Sequence, residues 1–312
     1  MQAIARYVMR GRIQAVLITA VTALLSLILP PLNYISSAVV GLVTLRKGWS
    51  EGLIVMAGAG VASAAFAVLT PVDPYHADMV AAAIWVPVWI LAIVLRYTVS
   101  LSATVGSAGI LGALVVIGTY LVLDNPAQSW RNIMGRIVDL AKQQNEPVVA
   151  DSLGQMLTSA APHMTGMLVA ALALGLTLSL FLARWWQALL FNPGGFSQEF
   201  RGLRLSRNFA LLTVVALAVS MMASHRPAEV AENVLIVLVA VYLMHGMGLV
   251  HGIVAAKSLH VGWLIAVYAV TFILPQSTLL LAAGAFADSW LDIRSRIQKS
   301  KSDQDGQSDR EA

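Results

Sequence analysis

Ionisable residues set inside apolar stretches are where this sequence places groups able to do chemistry. His245 and His251 lie in VYLMHGMGLVHG, and Asp288 lies in AGAFADSWLDIR. An ionisable group at membrane depth is costly, so each is a functional candidate by default. The two histidines are six residues apart, which on a helix turns them by about 120°, so they share no face. A metal pair on one helix needs a shared face, and no metal site is expected. His245 has two readings: a hydrogen bond to a neighbouring helix, or a place on a polar cavity or proton path. His251, nearer a span end, is the weaker candidate. Asp288 is read as solvated at the interface or paired with Arg294, the alternative being a buried partner for an arginine such as Arg96.

The other polar candidates come from breaks in apolar runs. Asn33 follows ILPP, and Gln276 follows ILP with Ser277 and Thr278 behind it. With His245, these two make the candidate ligand-binding set, because non-helical backbone at depth lines protein or a cavity. Catalytic patterns are missing. There is no HExxH, no GxSxG, no phosphate loop, no paired carboxylate in a span and no cysteine. No catalytic residue and no cofactor are therefore assigned, and an enzyme is the least supported class.

The elements that must position these residues are membrane helices. Only 12% of the residues are charged and 58% are hydrophobic, against roughly 25% charged in soluble domains. The charges are bunched, leaving long apolar runs between them. The basic net charge of +4 is read as cytoplasmic arginines and lysines, since no basic-aromatic patch for nucleic acid accompanies it. The fold class expected is an all-α polytopic membrane protein. Six apolar segments are single spans: about 52–70, 80–95, 100–123, 164–183, 208–223 and 231–256. The runs 13–45 and 258–293 are too long for one crossing of a ~30 Å hydrocarbon core, and each has a proline near its middle. Split there, they become short hairpins, and the total is ten. The N-terminal run resembles a signal peptide but lacks a convincing cleavage site and is read as a retained span. With both termini inside, ten spans put sixteen Lys and Arg in the cytoplasm against four outside, as the positive-inside rule asks.

One transmembrane domain, 1–294, is expected, with a disordered cytoplasmic tail, 295–312. The external loop 124–163 carries Trp130, Ile133, Met134, Ile137 and Leu140 at amphipathic helical spacing. A second short stretch carries Val149, Leu153, Met156 and Leu157. These helices are expected on the membrane surface or against the bundle, with a lid over a cavity as the alternative. The small-residue runs AGAGVASAA and VGSAGILG, and the pair Gly248 and Gly252, suit close helix packing.

The cytoplasmic loop 184–207 contains FNPGGFSQEFRGLRLSR. Asn192-Pro193-Gly194-Gly195 is a turn. Ser197 is expected to cap a short helix with Glu199 in its first turn, and Trp185 and Trp186 to anchor at the interface. Phe196, Phe200, Leu203 and Leu205 are set to meet the interface while Arg201, Arg204 and Arg207 face solvent, lipid phosphate or a partner.

This loop also carries a resemblance. NPGGF, an acidic residue and then FRGLR resembles the YybS-like bacterial membrane proteins, the family of domain of unknown function 2232. DSWLDIR at 288–294 is similar to the ending of that family. Asn192, Pro193, Gly194, Gly195, Phe196, Arg201 and Arg204 match the first motif, and Asp288, Trp290, Asp292 and Arg294 the second. The resemblance implies remote similarity to substrate-binding membrane subunits of vitamin transporters and to a cell-shape membrane protein. It also implies frequent placement near ribosomal-protein genes, and no established activity. Asp288, Asp292 and Arg294 are expected to be structural ionic residues.

Together these readings point to a non-enzymatic small-molecule binding or transport-type subunit of the bacterial inner membrane. The alternative is a scaffold or assembly factor that recruits a cytoplasmic or membrane partner through the basic loop. The lipid bilayer is an expected partner, with a small-molecule ligand or a protein partner beside it, and no nucleic acid is expected.

Overall fold

A computed structural model describes residues 1–67, 74–143 and 147–296. The described residues form fourteen α-helices and one 3₁₀ turn, with no strand among them. They divide into two compact units. The first comprises Met1–Ala108, Leu174–Ser206 and the chain from Tyr242 on; the second comprises Gly109–Ala173 and Arg207–Val241. The proposed tail beyond residue 296 lies outside the described residues.

In the first unit, α1 (Gln2–Met9), α2 (Arg12–Leu25), α3 (Leu32–Lys47), α4 (Trp49–Ala67) and α5 (Pro74–Thr98) pack together, with α3 against α2, α4 and α5. Ser36 to Leu45 of α3 are buried without interruption, so this helix is apolar or small on every face. Its hydroxyls are absorbed locally: Ser36 Oγ donates to Thr19 O at 2.9 Å and accepts from Trp85 Nε1 at 2.9 Å. The C-terminal carbonyls of α3 need donors, and Arg96 supplies one to Leu45 O at 2.6 Å. Arg96 is thus a helix cap and does not partner Asp288.

Both long apolar runs break at their prolines. After α2 the chain turns through 26–31 into α3, and Asn33 N bonds Pro30 O at 3.1 Å. After α13 (Gly262–Ile273), Leu274 takes φ −119°, ψ 85°, the extended backbone that a following proline imposes, and α14 (Ser277–Leu291) begins beyond Pro275.

The second unit contains most of α6 (Leu101–Val122), α7 (Pro126–Gln143), α8 (Pro147–Ala160) and the 3₁₀ turn Ala161–His163. It also holds the start of α9 (Met164–Phe191), α11 (Arg207–Met222) and the first half of α12 (Arg226–Ala256). The glycines of VGSAGILG permit close approach: a Cβ on Gly109 would lie 2.8 Å from Phe209, and one on Gly112 2.7 Å from Val237. The polar centre is Asn233, fully buried. Its Oδ1 accepts from Gly166 N at 2.6 Å, and the two N–H groups of its Nδ2 are shared among Pro162 O at 2.8 Å, Glu229 O at 2.9 Å and Tyr120 Oη at 3.1 Å. On α7, Met134 faces inward and Trp130 Nε1 donates to Thr165 Oγ1 at 2.9 Å, while Ile133, Ile137 and Leu140 stay exposed. The side chains of Val149 and Leu153 on α8 lie outside the described residues.

Among the described residues, four helical segments have the length and apolarity to cross a membrane: Trp49–Phe66, Leu101–Val122, Gly154–Phe191 and Arg226–Ala256. Five shorter apolar helices accompany them. The ten spans counted from sequence therefore resolve into four of full length. The 12-residue α13 extends only about 18 Å at 1.5 Å per residue, because the proline that breaks its run leaves neither half long enough for a straight crossing.

Candidate functional site

The region richest in charged contacts belongs to the first unit and is built on the end of α12. Here the helix presents glycines where other chain segments come close. A Cβ on Gly248 would meet Phe200 O at 2.7 Å, one on Gly252 would meet Arg201 O at 2.9 Å, and one on Gly246 would meet Leu281 O at 2.7 Å. The segment 200–203 and helix α14 thus lie on bare α12 backbone, as small-residue motifs allow.

The loop reaches α12 through a tight turn. Gly195 N bonds Asn192 O at 3.0 Å, and Gly194 has φ 87°, ψ −18°, the type II geometry that Pro at the first corner and Gly at the second prescribe. The short α10 (Gly195–Arg201) follows, with Gly194 as its N-cap. Ser197 does not cap it, because the helix starts two residues earlier, and Glu199 is not in its first turn. Glu199 instead accepts both arms of Arg184, at 2.9 and 2.5 Å, a bidentate pair that ties α10 to α9. Phe196 and Phe200 join Phe181 in a ring cluster, with centroids 5.5 to 5.9 Å apart. Leu203, Leu205 and Trp186 are buried, which corrects their placement at the interface; Trp185 is the half-exposed member of its pair. His251 also belongs to this packing, with Nε2 3.0 Å from Tyr268 Oη and its ring 5.3 Å from that of Phe200.

Beneath the loop lies the ionic knot. Asp288 Oδ2 is 3.0 Å from His245 Nε2 and 2.9 Å from Arg294, and its Oδ1 accepts from Ile293 N at 2.8 Å. A carboxylate held by an arginine and an amide only accepts, so His245 Nε2 carries a proton towards it. His245 Nδ1 is buried with no hydrogen-bond partner among the described residues. Arg294 also donates to Arg201 O at 2.5 Å and Leu203 O at 2.8 Å, so one guanidinium joins α14, α12 and the loop. A second bridge runs beside it: Arg204 reaches Asp292 Oδ2 at 2.6 Å, while its backbone N–H donates to Ser102 Oγ at 2.8 Å. Asp292 sits at the αL C-cap of α14 (φ 50°). Burial alone would raise its pKa, but the hydrogen bond and charge of Arg204 hold it below the ordinary carboxylate value.

Arg201, Arg204 and Arg294, with Asp292, Gly252 and Gln198, line an open recess of about 580 Å³. Arg294 and Arg204 are engaged by carboxylates. The Arg201 guanidinium is exposed and has no partner among the described residues. Three guanidiniums against the two carboxylates of Asp288 and Asp292 leave the recess with one positive charge in excess, and its size suits a small ligand.

The structure brings Asp288, Asp292, Arg294, His245, Arg201 and Arg204 together. It does not bring Asn33 or Gln276 to them. Asn33 lies in the first turn of α3, its Oδ1 buried without a hydrogen-bond partner among the described residues, and Gln276 is an exposed N-cap of α14. His245 has no exposed surface, so it touches no space large enough for water. Arg207 opens α11 and is not among the residues lining the recess. Among the described residues no three His, Cys, Asp or Glu converge as metal ligands. The roles of Arg184, Glu199 and Ser102 escaped sequence reasoning; an arginine fifteen residues before a lone loop glutamate was the available signal.

No curated protein and no solved structure is detectably similar to this chain. The family described as predicted membrane protein, domain of unknown function 2232, matches residues 17–289, and with most of its length matched the chain belongs to that family.

Proposed function

We propose that this chain is a non-enzymatic, multi-pass subunit of the bacterial cytoplasmic membrane that binds a small anionic molecule at the recess of Arg201, Arg204 and Arg294. The observation that carries this reading is the guanidinium of Arg201, without a partner among the described residues, in a ligand-sized, electropositive recess. The knot below fixes the other two arginines, so the binding geometry exists before a ligand arrives. Energy for any transport would come from partner proteins or an ion gradient. The remote kinship to vitamin-transporter subunits implied by the loop motif agrees with this reading. In it, ten spans, six of them short, leave both termini and the recess on the cytoplasmic side.

Native mass spectrometry of the protein, gently extracted from its own membrane, tests the reading. A stoichiometric anionic small molecule that is released on activation and absent from Arg201→Glu supports it. An empty protein that co-purifies stoichiometric subunits overturns it in favour of a scaffold. The scaffold reading draws on the rigid Arg184–Glu199 clamp, which holds the loop as a fixed surface. The chain has no cysteine, so single cysteines at Ser152 and Ser302 test the topology: impermeant reagents should reach them from opposite sides, and same-side labelling rejects ten spans.

A further inference from the structure

The second unit has an opening of a different character. Beside the C-terminal half of α6, the middle and C-terminal turns of α11 and the start of α12 lies a groove of about 710 Å³. Its floor is made of small or buried residues, Ala216, Ala231 and Val234, and its walls of exposed Leu121, Val215 and Val219. The groove exists because alanines at the floor leave room that larger side chains would fill. Its walls are apolar, exposed and carried on helices that cross or enter the apolar layer, so acyl chains are the surroundings they meet.

One end is different. Asp124 and Arg226 line the groove where α6 has ended and α12 begins, at the ends of both apolar helices. Arg226 donates one arm to the carbonyls of Tyr120 and Leu123, capping α6, which fixes its position and leaves the rest of its fork free. The Asp124 carboxylate has no hydrogen-bond or ionic partner among the described residues. Glu229 and Glu232, in the first turns of α12, add negative charge at the same end. One fixed cation amid several carboxylates does not suit a purely anionic headgroup. It does suit a headgroup that carries a phosphate and an amine side by side.

We propose that this groove is a binding site for a zwitterionic glycerophospholipid. One acyl chain lies over Ala216 and Ala231, the phosphate meets Arg226, and the headgroup ammonium meets Asp124. The site is independent of the basic recess and of its ligand.

The test is native mass spectrometry with lipid analysis of the full chain reconstituted in nanodiscs of equal phosphatidylethanolamine and phosphatidylglycerol. The wild type is expected to retain about one phosphatidylethanolamine per chain through detergent transfer, enriched several-fold over phosphatidylglycerol. Ala231→Leu, which fills the floor, and Asp124→Asn, which removes an exposed unpaired carboxylate without touching the fold, are each expected to abolish the enrichment. Arg226→Gln is expected to do the same, but it also uncaps α6, so the other two variants are the decisive ones. Retained lipid that mirrors the nanodisc mixture, preferential retention of phosphatidylglycerol, or enrichment unchanged in both Ala231→Leu and Asp124→Asn would overturn the proposal.

Discussion

The two units each bury a polar knot, and the knots solve one problem with different chemistry. In the second unit Asn233, a neutral amide, meets four partners and leaves neither its oxygen nor its nitrogen unsatisfied. In the first unit Asp288 holds His245 and Arg294 with charge, and His245 Nδ1 is left without a partner among the described residues. Burying charge is expensive, and a buried ion pair is often no better than an apolar substitute of the same shape. An amide would tie helices at lower cost, as Asn233 does. Charge in the first knot therefore calls for a second reason, and the adjoining recess supplies one. Arg294 has its guanidinium between the buried carboxylate and an open cavity, so the knot sets the electrostatics of a surface as well as joining helices.

Removing the central acid should break this comparison most sharply. Asp288→Ala strands Arg294 and the imidazole together, and loss of one partner from a buried pair costs about 3–5 kcal/mol. Thermal unfolding in mild detergent should show the largest fall in Tm of any single variant named here. Asp288→Asn keeps the shape and should lose less. Asn233→Ala comes next: it leaves several buried donors and acceptors unpaired, each costing about 1–3 kcal/mol, although water or small shifts will satisfy some. If Asn233→Ala proves as damaging as Asp288→Ala, charge gives the first knot no special role in stability.

How far each knot was legible in the sequence follows from the same contrast. Asp288, Arg294 and His245 were visible because charge is conspicuous in an apolar run, and two of them lie six residues apart. Their meeting with His245 was not among the pairings read, since His245 was given only an unnamed partner on a neighbouring helix. Asn233 went unremarked, since its partners lie at Tyr120, Pro162 and Gly166, far away in sequence, and a single amide near a span end carries no local pattern. The same logic covers the fold. Proline breaks at ILPP and ILPQ are local covalent facts, and both became turns. The turn at Asn192 to Gly195 was equally local. Leu203, Leu205 and Trp186 were placed at the surface because burial depends on what folds over them, which periodicity does not report. Glu199 likewise found Arg184 and not the dipole of its own helix.

Gly248→Ala gives the next effect. Its new Cβ would collide with Phe200 O, a backbone atom with no rotamer to yield, so the loop must lift from α12; overpacking of this kind costs about 1–3 kcal/mol. In the second unit Gly112→Ala meets Val237, a side chain, and should cost less. Equal costs would mean that both helices adjust by moving as wholes, and the loop would not be a fixed platform. The Gly248→Ala protein should also lose any anion held at the recess, measured by native mass spectrometry, whereas Gly112→Ala should keep it.

The smallest effect separates the knots by pH. Burial works to raise the pKa of Asp292 in the folded state, but the hydrogen bond and charge of Arg204 outweigh it and leave the carboxyl depressed. A depressed carboxylate stabilises the fold above its unfolded pKa, and that contribution fades as pH falls through the lower folded value. The window therefore opens below about pH 4, where an ordinary aspartate begins to protonate. With the Asp292 side chain 43% exposed, solvent screening limits the pair to about 1 kcal/mol or less. Asp292→Asn should lower Tm slightly at pH 7, and the gap to wild type should narrow as pH approaches 3. The Asn233→Ala deficit rests on a neutral amide and should stay flat over the same interval. Asparagine is also favoured at the αL cap of α14, so a gap for Asp292→Asn that is as wide at pH 3 as at pH 7 would mean that the contribution of Asp292 does not come from its charge pairing with Arg204.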